Sequence, residues 1–444
     1  VGESEVHKPV VRKPPVREIT PLAAPPDAAV PVPGSKSLTN RVLVLAALAE
    51  GSSRLANALF SDDTAVMVES LQRLGFRVEV DPAAPTMTVH GQGGVIPEGS
   101  AELFAGGAGT VARFLTAVAC LGRGRYRIDG IPRMRERPIR DLMDALGMLG
   151  ASVTATGGCP PVTVEARGLR GGRAVVRGDV SSQFVSALLM AAPYADGDVE
   201  VVVEGRLVGA PYVEMTLAVM EAFGVEVGRE GLRRFHIRAG QHYRGREYTV
   251  EPDASSAAYF LAAAAITGGR VAIPGLSARS LQADARFADV LEQMGCLVER
   301  SPDLTSVRGP GSPQGPGVLR GVDVDMRAMS DQTMTLAAIA PFAAGSTRVR
   351  GVAHIRHQES DRLAATAAEL RRLGQEVEEH GDGLSISPRP VRPAVVQTYG
   401  DHRIAMAFAV TGLRAPGIAV ADPGCVAKTF PDFFERLEGL RGFQ

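Results

Sequence analysis

LQRLGFRVEV, at residues 71–80, carries the pattern from which the fold is read. An apolar helical run ends at Gly75 and a β-rich stretch follows, so the glycine falls where a helix C-terminus must turn left-handed before a strand. The arrangement returns as LGMLGASVTA at 146–155, MEAFGVEV at 220–227, LEQMGCLVE at 291–299 and LRRLGQEVEE at 370–379. The glycines are Gly75, Gly150, Gly224, Gly295 and Gly374, a nearly even spacing along the chain. A second pattern runs in phase with the first. Small polar residues precede an Ala-, Leu- and Val-rich helix in PGSKSLTNRVLVLAALA, AGTVARFLTAVACL, VSSQFVSALLMAA, PDASSAAYFLAAAAI, SDQTMTLAAIAPFAA and GDHRIAMAFAV. Marked at Ser37, Thr110, Ser182, Ser256, Asp331 and His402, these starts recur at the same near-constant interval. Six such units therefore account for all 444 positions.

A sixth of the chain exceeds the ~20–50 residues of common solenoid repeats, so each copy is a small α/β subdomain. Its polar-started helices are apolar nearly all round, which implies burial inside the fold. Six such helix starts offer six sets of unpaired N–H groups and positive dipole ends, suited to anions. Any one of them alone reads equally well as ordinary N-capping.

Composition narrows the function. Apolar residues are 45% and charged residues 22%, as in an ordinary globular chain of two or three domains. The net charge of −1, the absence of Trp and an aromatic content of 5% argue against a nucleic-acid binder. Cys120, Cys159, Cys296 and Cys425 form no CxxC pair, which fits a reduced cytoplasmic protein better than a disulfide scaffold or zinc site. No apolar run reaches the ~18–20 residues of a membrane span. Proline is dense from Pro9 to Pro33, so the start reads as a strap or extended strand and not as a signal peptide.

Several motifs carry chemistry. PGSKSLTNR (33–41) places Lys36, Ser37 and Arg41 on one loop-to-helix junction without being a Walker A loop. LFAGGAGTVARFL (103–115) sets Gly106, Gly107 and Gly109 before a helix, where backbone N–H groups can approach an anion closely. PRMRERPIR (132–140) holds four Arg, a solvated face or a carboxylate clamp. HIRHQESDRL (354–363) mixes His354 and His357 with Glu359, Asp361 and Arg362; HExxH is absent, so no metal site is read there. YGDHRIAM (399–406) and GCVAKTFPDF (424–433) add Arg403 and Lys428.

Together these motifs resemble the EPSP synthase family, the 3-phosphoshikimate 1-carboxyvinyltransferases. PGSKSLTNR, AGTVARFL, RMRERPI, VSSQFVSALLM, PYVEMTL, PDASSAAYFLAAAAI, DQTMTLA, ESDRL, GDHRIAMAFAV and AKTFPDFF stand in family order from about residue 20 to 437. The resemblance implies a two-lobed, inside-out α/β barrel of six βαβαββ repeats, three per lobe, with buried parallel helices. Residues 34–250 would form the first lobe, and 1–33 with 251–444 the second. The implied reaction moves the enolpyruvyl group of phosphoenolpyruvate to the 5-hydroxyl of shikimate 3-phosphate through a tetrahedral intermediate, releasing phosphate, with no metal or organic cofactor. The family is usually monomeric, and glyphosate is its inhibitor.

Residue by residue, the resemblance assigns Lys36 to both substrates and Ser37 and Arg41 to the shikimate carboxylate. It assigns Ser181 and Ser182 to the shikimate phosphate, Gln183 to both substrates and Tyr212 to the shikimate ring. Gly107, Gly109, Arg137, Arg362, Arg403 and Lys428 would surround phosphoenolpyruvate. Asp331 is the implied base toward the 5-hydroxyl, and Glu359 the acid/base partner of the methylene carbon. Four positions depart from the commonest family pattern. Gly107 replaces Asn, Gly209 replaces Ser, His354 replaces Asn, and Gln358, assigned to shikimate 3-phosphate, replaces Lys. A protonated His354 or His357 is the expected substitute for the missing lysine charge. Lys36 and Arg137 would face Arg362, Arg403 and Lys428 across the cleft, so like-charge repulsion is expected to open the free protein and bound anions to close it. Two rivals are weighed. An enolpyruvyl transferase acting on UDP-N-acetylglucosamine would need a reactive-loop cysteine motif that none of the four cysteines matches. A non-catalytic phosphate-binding scaffold would have no use for Asp331 and Glu359 among the cations.

Overall fold

The computed structural model describes residues 15–312 and 315–442; the part of the expected strap that precedes Pro15 lies outside the described residues. One unit shows the plan. Strand Ser100–Phe104, helix Gly109–Ala119, strand Arg123–Asp129 and helix Arg140–Met148 lead into a hairpin of Ser152–Ala155 and Val162–Arg167. The first two strands are parallel and the others antiparallel, in the spatial order first, second, fourth, third. A parallel step requires a crossover, and the apolar helix supplies it. The same order recurs in the units beginning at Gly172 and Asp323.

The remaining units take a strand from a distant part of the chain. Glu247–Thr249 runs parallel to Glu50–Ala56, and Asp27–Ala29 runs parallel to Arg270–Pro274. In the last unit Val16–Ile19 lies antiparallel to Ile418–Ala421, which is itself parallel to Ala394–Val396. The described part of the Pro-rich start is therefore extended and paired.

Helix ends follow the glycine pattern. Gly75, Gly150, Gly224, Gly295 and Gly374 have φ of 90°, 89°, 88°, 101° and 85°. At the first, the Gly75 N–H donates to the Gln72 carbonyl at 2.9 Å and the Phe76 N–H to the Leu71 carbonyl at 3.0 Å. This is a Schellman ending, and it makes a side chain at the glycine costly.

The polar-started helices are buried on every side. Every residue of Gly109–Ala119 and of His402–Gly412 is buried, as is all of Ala254–Thr267 except Ser255. Their Ala content lets the surrounding sheets close on them, while the partner helices, such as Asp62–Arg73 and Arg362–Arg372, keep a polar outer face. One expectation needs correction. Asp331 does not open an α-helix; it sits in a 3₁₀ segment, Arg327–Gln332, interrupted at Met329 (φ −135°, ψ 46°), and the α-helix starts at Thr333.

Apolar side chains gather into two separate cores. One runs from Leu38 to Val250; the other joins Ile19–Val32 to Ala254–Leu440. Where the chain passes between them, the two strands touch: the Ser35 N–H donates to the Glu251 carbonyl and the Asp253 N–H to the Pro33 carbonyl, both at 2.8 Å. Gly34 is required at this crossing, because a Cβ there would lie 1.8 Å from the Asn57 carbonyl oxygen.

Candidate active site

The starts of the buried helices converge on one cavity of about 110 Å³ between the two cores. Lys36 and Ser37, Gly109 and Thr110, Ser182 and Gln183, Ser330 and Asp331, and Arg403 line it, each at or just before a buried helix. The sixth start, at Asp253, Ser255 and Ser256, lines a smaller cavity that shares Lys36, Ser37, Tyr212 and Arg403 with the first. Of the residues singled out from the sequence, Arg41, Arg137, Ser181, Tyr212, Gln358, Glu359 and Arg362 also line the main cavity. Gly107 and Lys428 stand behind its wall. The Gly107 carbonyl accepts from Arg137 Nη1 at 3.1 Å, and Lys428 Nζ donates to Asp63 Oδ1 at 2.5 Å.

Arg41 is 1% exposed and pairs with no carboxylate among the described residues. Its Nε donates to Thr216 Oγ1 at 2.7 Å, and its Nη groups donate to the carbonyls of Ser37 and Tyr212 at 2.9 and 3.1 Å. The guanidinium also lies over the rings of Phe114 and Tyr212. Burial pulls its pKa down to about 10, still far above neutrality, so the charge persists. A buried cation without a counter-charge is expensive unless an anion completes it.

Across the cavity the cations are paired. Arg362 contacts three carboxylates: Asp401 Oδ2 at 2.7 Å from Nε, Glu359 Oε2 at 3.0 Å and Asp331 Oδ1 at 3.1 Å. Arg403 Nη2 donates to Asp331 Oδ2 at 2.7 Å, and the Tyr212 hydroxyl donates to the same oxygen at 3.1 Å. Arg137 lies 4.0 Å from Glu359. Burial pushes the Asp331 and Glu359 carboxyls up, but the neighbouring cations outweigh it. Arg403 and Arg362 bring Asp331 below the usual range, and Arg362, Arg137, Lys428 and Lys36 bring Glu359 well below it. Both are ionised at neutral pH.

The premise of like charges facing each other across the cleft is corrected by Asp63. Its buried carboxylate takes Lys36 at 3.2 Å on one oxygen and Lys428 at 2.5 Å on the other, joining cations of the two cores. Arg133 adds a contact between the cores, donating to the Gln358 carbonyl at 3.1 Å. His354 does not supply the expected charge either. Burial lowers its pKa below 6.5, and its Nε2 lies 3.0 Å from Ser330 Oγ. His357, exposed on the cavity rim, remains the available imidazole. Gln358 faces inward, and its amide oxygen accepts from Arg362.

Sequence reasoning missed Asp63, Asp253 and Asp401 as working groups. Asp401 and Asp253 stand immediately before apolar helices, a signal that reads as capping, and both do cap. Asp401 Oδ1 accepts from the Arg403 N–H at 3.0 Å, and Asp253 Oδ1 from the Ser256 N–H at 3.0 Å. Their second roles, Asp401 on Arg362 and Asp253 Oδ2 on the Lys36 N–H at 3.2 Å, depend on contacts far apart in the chain. Among the described residues no three His, Cys, Asp or Glu side chains converge as a metal site, and no helix is long and apolar enough to cross a membrane.

An α/β chain whose buried helix starts and cations line one cavity has the architecture of the enolpyruvyl transferases. The enolpyruvyl transferase NikO from Streptomyces tendae shares the fold with a TM-score of 0.76 at 21% identity, over 97% of this chain and 98% of that one. EPSP synthase from Acinetobacter baumannii superposes with a TM-score of 0.80 at 26% identity, covering 96% of this chain and 98% of that one. The family model for EPSP synthase (3-phosphoshikimate 1-carboxyvinyltransferase) matches residues 23–437. The 3-phosphoshikimate 1-carboxyvinyltransferase of Nostoc punctiforme is 51% identical over 95% of this chain and 98% of its own length. The chloroplastic enzyme of Arabidopsis thaliana is 48% identical over 96% of this chain and 83% of its own. The chain belongs to the EPSP synthase family.

Proposed function

We propose that this protein transfers the enolpyruvyl group of phosphoenolpyruvate to the 5-hydroxyl of shikimate 3-phosphate, without metal or organic cofactor. The observation that carries this reading is Arg41, a buried guanidinium with no carboxylate of its own, facing the Asp331–Arg362–Arg403 cluster across one cavity. On this reading Arg41 and Ser37 hold the shikimate carboxylate, Ser181 and Ser182 its phosphate, and Tyr212 its ring. Arg137, Arg362, Arg403, Lys36 and Lys428 hold phosphoenolpyruvate, with Gln183 between the substrates. Residues 34–250 and 1–33 with 251–444 are the two lobes of an inside-out α/β barrel. The two separate cores and the paired crossings at Gly34 and Pro252 support that division. A cytoplasmic monomer with glyphosate as an inhibitor belongs to the same reading.

Asp331 takes the proton of the 5-hydroxyl as its oxygen bonds to the substituted alkene carbon, and Glu359 delivers a proton to the methylene carbon. In the second step Glu359 recovers a methyl proton, the double bond re-forms and phosphate leaves. The depressed carboxyl pKa values support a coupling between binding and chemistry. When substrate anions occupy Arg362, Arg137 and Arg403, the carboxylates lose part of their cationic stabilisation and rise toward values suited to proton transfer. Release of inorganic phosphate only when both substrates are present tests the function, and its absence overturns it.

Two results are expected at the cavity wall. A Cβ on Gly109 would lie 2.8 Å from Arg137 Nη2, 3.0 Å from Gln183 Oε1 and 3.1 Å from Arg113 Nη1. Arg137 must shift, so Gly109→Ala should raise the KM for phosphoenolpyruvate several-fold more than that for shikimate 3-phosphate. Equal changes in both would separate Gly109 from the phosphoenolpyruvate side. Gln358→Lys removes an acceptor from Arg362 and adds a charge. It should change the KM for shikimate 3-phosphate more than kcat, by the roughly 1.5–3 kcal/mol of a charge-assisted bond. It should also flatten the pH dependence of that KM between about pH 6 and 8, where an ordinary imidazole such as His357 titrates. An unchanged constant and profile would place Gln358 away from the substrate.

A further inference from the structure

The reaction above uses Asp331 and leaves unexplained a second buried carboxylate behind it. Asp284 is 5% exposed and belongs to a short 3₁₀ segment, Ala283–Arg286. Its Oδ2 accepts from Gln332 Nε2 at 3.0 Å and from the Ser255 hydroxyl. Gln332 follows Asp331 in the chain and is wholly buried, and its Oε1 accepts from Thr335 Oγ1 at 3.0 Å in the first helical turn beyond. The irregular backbone at Met329 leaves the turn carrying Asp331 without the ladder of a regular helix. The Asp284–Gln332–Thr335 chain of hydrogen bonds anchors it instead. Next to Asp284, Gln282 Nε2 donates to Glu251 Oε2 at 3.0 Å and to the Pro252 carbonyl at 2.8 Å, which ties this segment to the crossing between the cores.

We propose that Asp284 is a positioning residue for Asp331, holding through Gln332 the turn that presents the base and, by its negative charge, keeping that base strong enough to take a proton. The proposal rests on the reading of Asp331 as the base. The charged and titratable groups around Asp284 are Asp331, Arg403, Tyr212, Tyr259, Lys36 and Asp253, with Arg286 on its own segment. Burial, then the charge of Asp331, pushes the Asp284 carboxyl up to about 6 against the pull of Arg403, Ser255 and Gln332. Above that pH its charge opposes ionisation of Asp331 and raises its proton affinity. As the pH falls through about 6, that support is lost.

The test is steady-state kinetics of the full chain with both substrates from about pH 5 to 9, for the parent, Asp284→Asn, Asp284→Glu and Asp331→Asn. Asn keeps the volume and an acceptor but removes the charge. Asp284→Asn is expected to lower kcat about three- to tenfold, as a loss of about one pKa unit in the base implies. Its KM values should stay within about twofold, the acid limb of its kcat profile should move to lower pH, and Asp284→Glu should restore much of the loss. Parent-like turnover and pH limb in Asp284→Asn, while Asp331→Asn is inactive, would overturn the positioning role and leave the base in place. A uniform loss with an unmoved limb would reduce Asp284 to a structural part and overturn the proposal. Near-native turnover in Asp331→Asn would overturn the base reading and this proposal with it.

Discussion

Asp331→Ala is expected to lower turnover by about 10²–10⁴-fold, the usual contribution of a general base, with little loss of phosphoenolpyruvate binding. Asp331 is the acceptor shared by Arg362 at 3.1 Å, Arg403 at 2.7 Å and the Tyr212 hydroxyl at 3.1 Å. Removing it takes away the proton acceptor and also frees two guanidinium groups that the reading above gives to phosphoenolpyruvate. The dissociation constant for that substrate should therefore hold steady or fall while kcat collapses. A variant that keeps near-native turnover would remove Asp331 from the base role. One that loses binding and turnover in parallel would make it a scaffold for the arginines.

The second large effect is expected at Asp401, which is wholly buried. It receives Arg362 Nε at 2.7 Å and Nη2 at 3.2 Å, and the Ser360 hydroxyl at 3.0 Å. Arg362, 1% exposed, keeps its proton more firmly than an ordinary arginine because Asp401, Glu359 and Asp331 outweigh its burial. Breaking one side of a buried pair typically costs about 3–5 kcal/mol, and the two remaining carboxylates place the expectation near ~3 kcal/mol. Asp401→Asn isolates this term, because Asn caps a helix about as well as Asp. Denaturant unfolding should report the loss. The KM for phosphoenolpyruvate should also rise by about tenfold or more, since ~1.4 kcal/mol of misplaced Arg362 contact suffices for that. A variant as stable as the parent would show that Glu359 and Asp331 alone satisfy Arg362.

These two residues differ in how far the sequence exposed them. Asp331 is legible in the spacing and in the resemblance, whereas Asp401 reads only as a cap. The same holds for Asp63, which sits in the first turn of an ordinary amphipathic helix yet bridges Lys36 to the distant Lys428. Charge counting from the chain found the cations and missed the carboxylates that face them. It therefore predicted repulsion across a cleft in which Asp63, Asp331 and Glu359 form ion pairs.

What the sequence by itself determined is what short-range physics encodes. Each Schellman glycine answers to hydrogen bonds within its own turn, each helix start to side chains beside it, and each buried helix to its own unbroken apolar surface. Six copies of those signals were enough to count the units and to line up the helix starts. The tertiary structure alone decided which strand closes a unit, as when Glu247–Thr249 joins Glu50–Ala56, and which carboxylate each cation takes. It also decided that Arg41 would be left without one. Such pairings are chosen by proximity and burial after the chain has folded, among many carboxylates that are equivalent in the unfolded chain. No local pattern of residues can carry that choice.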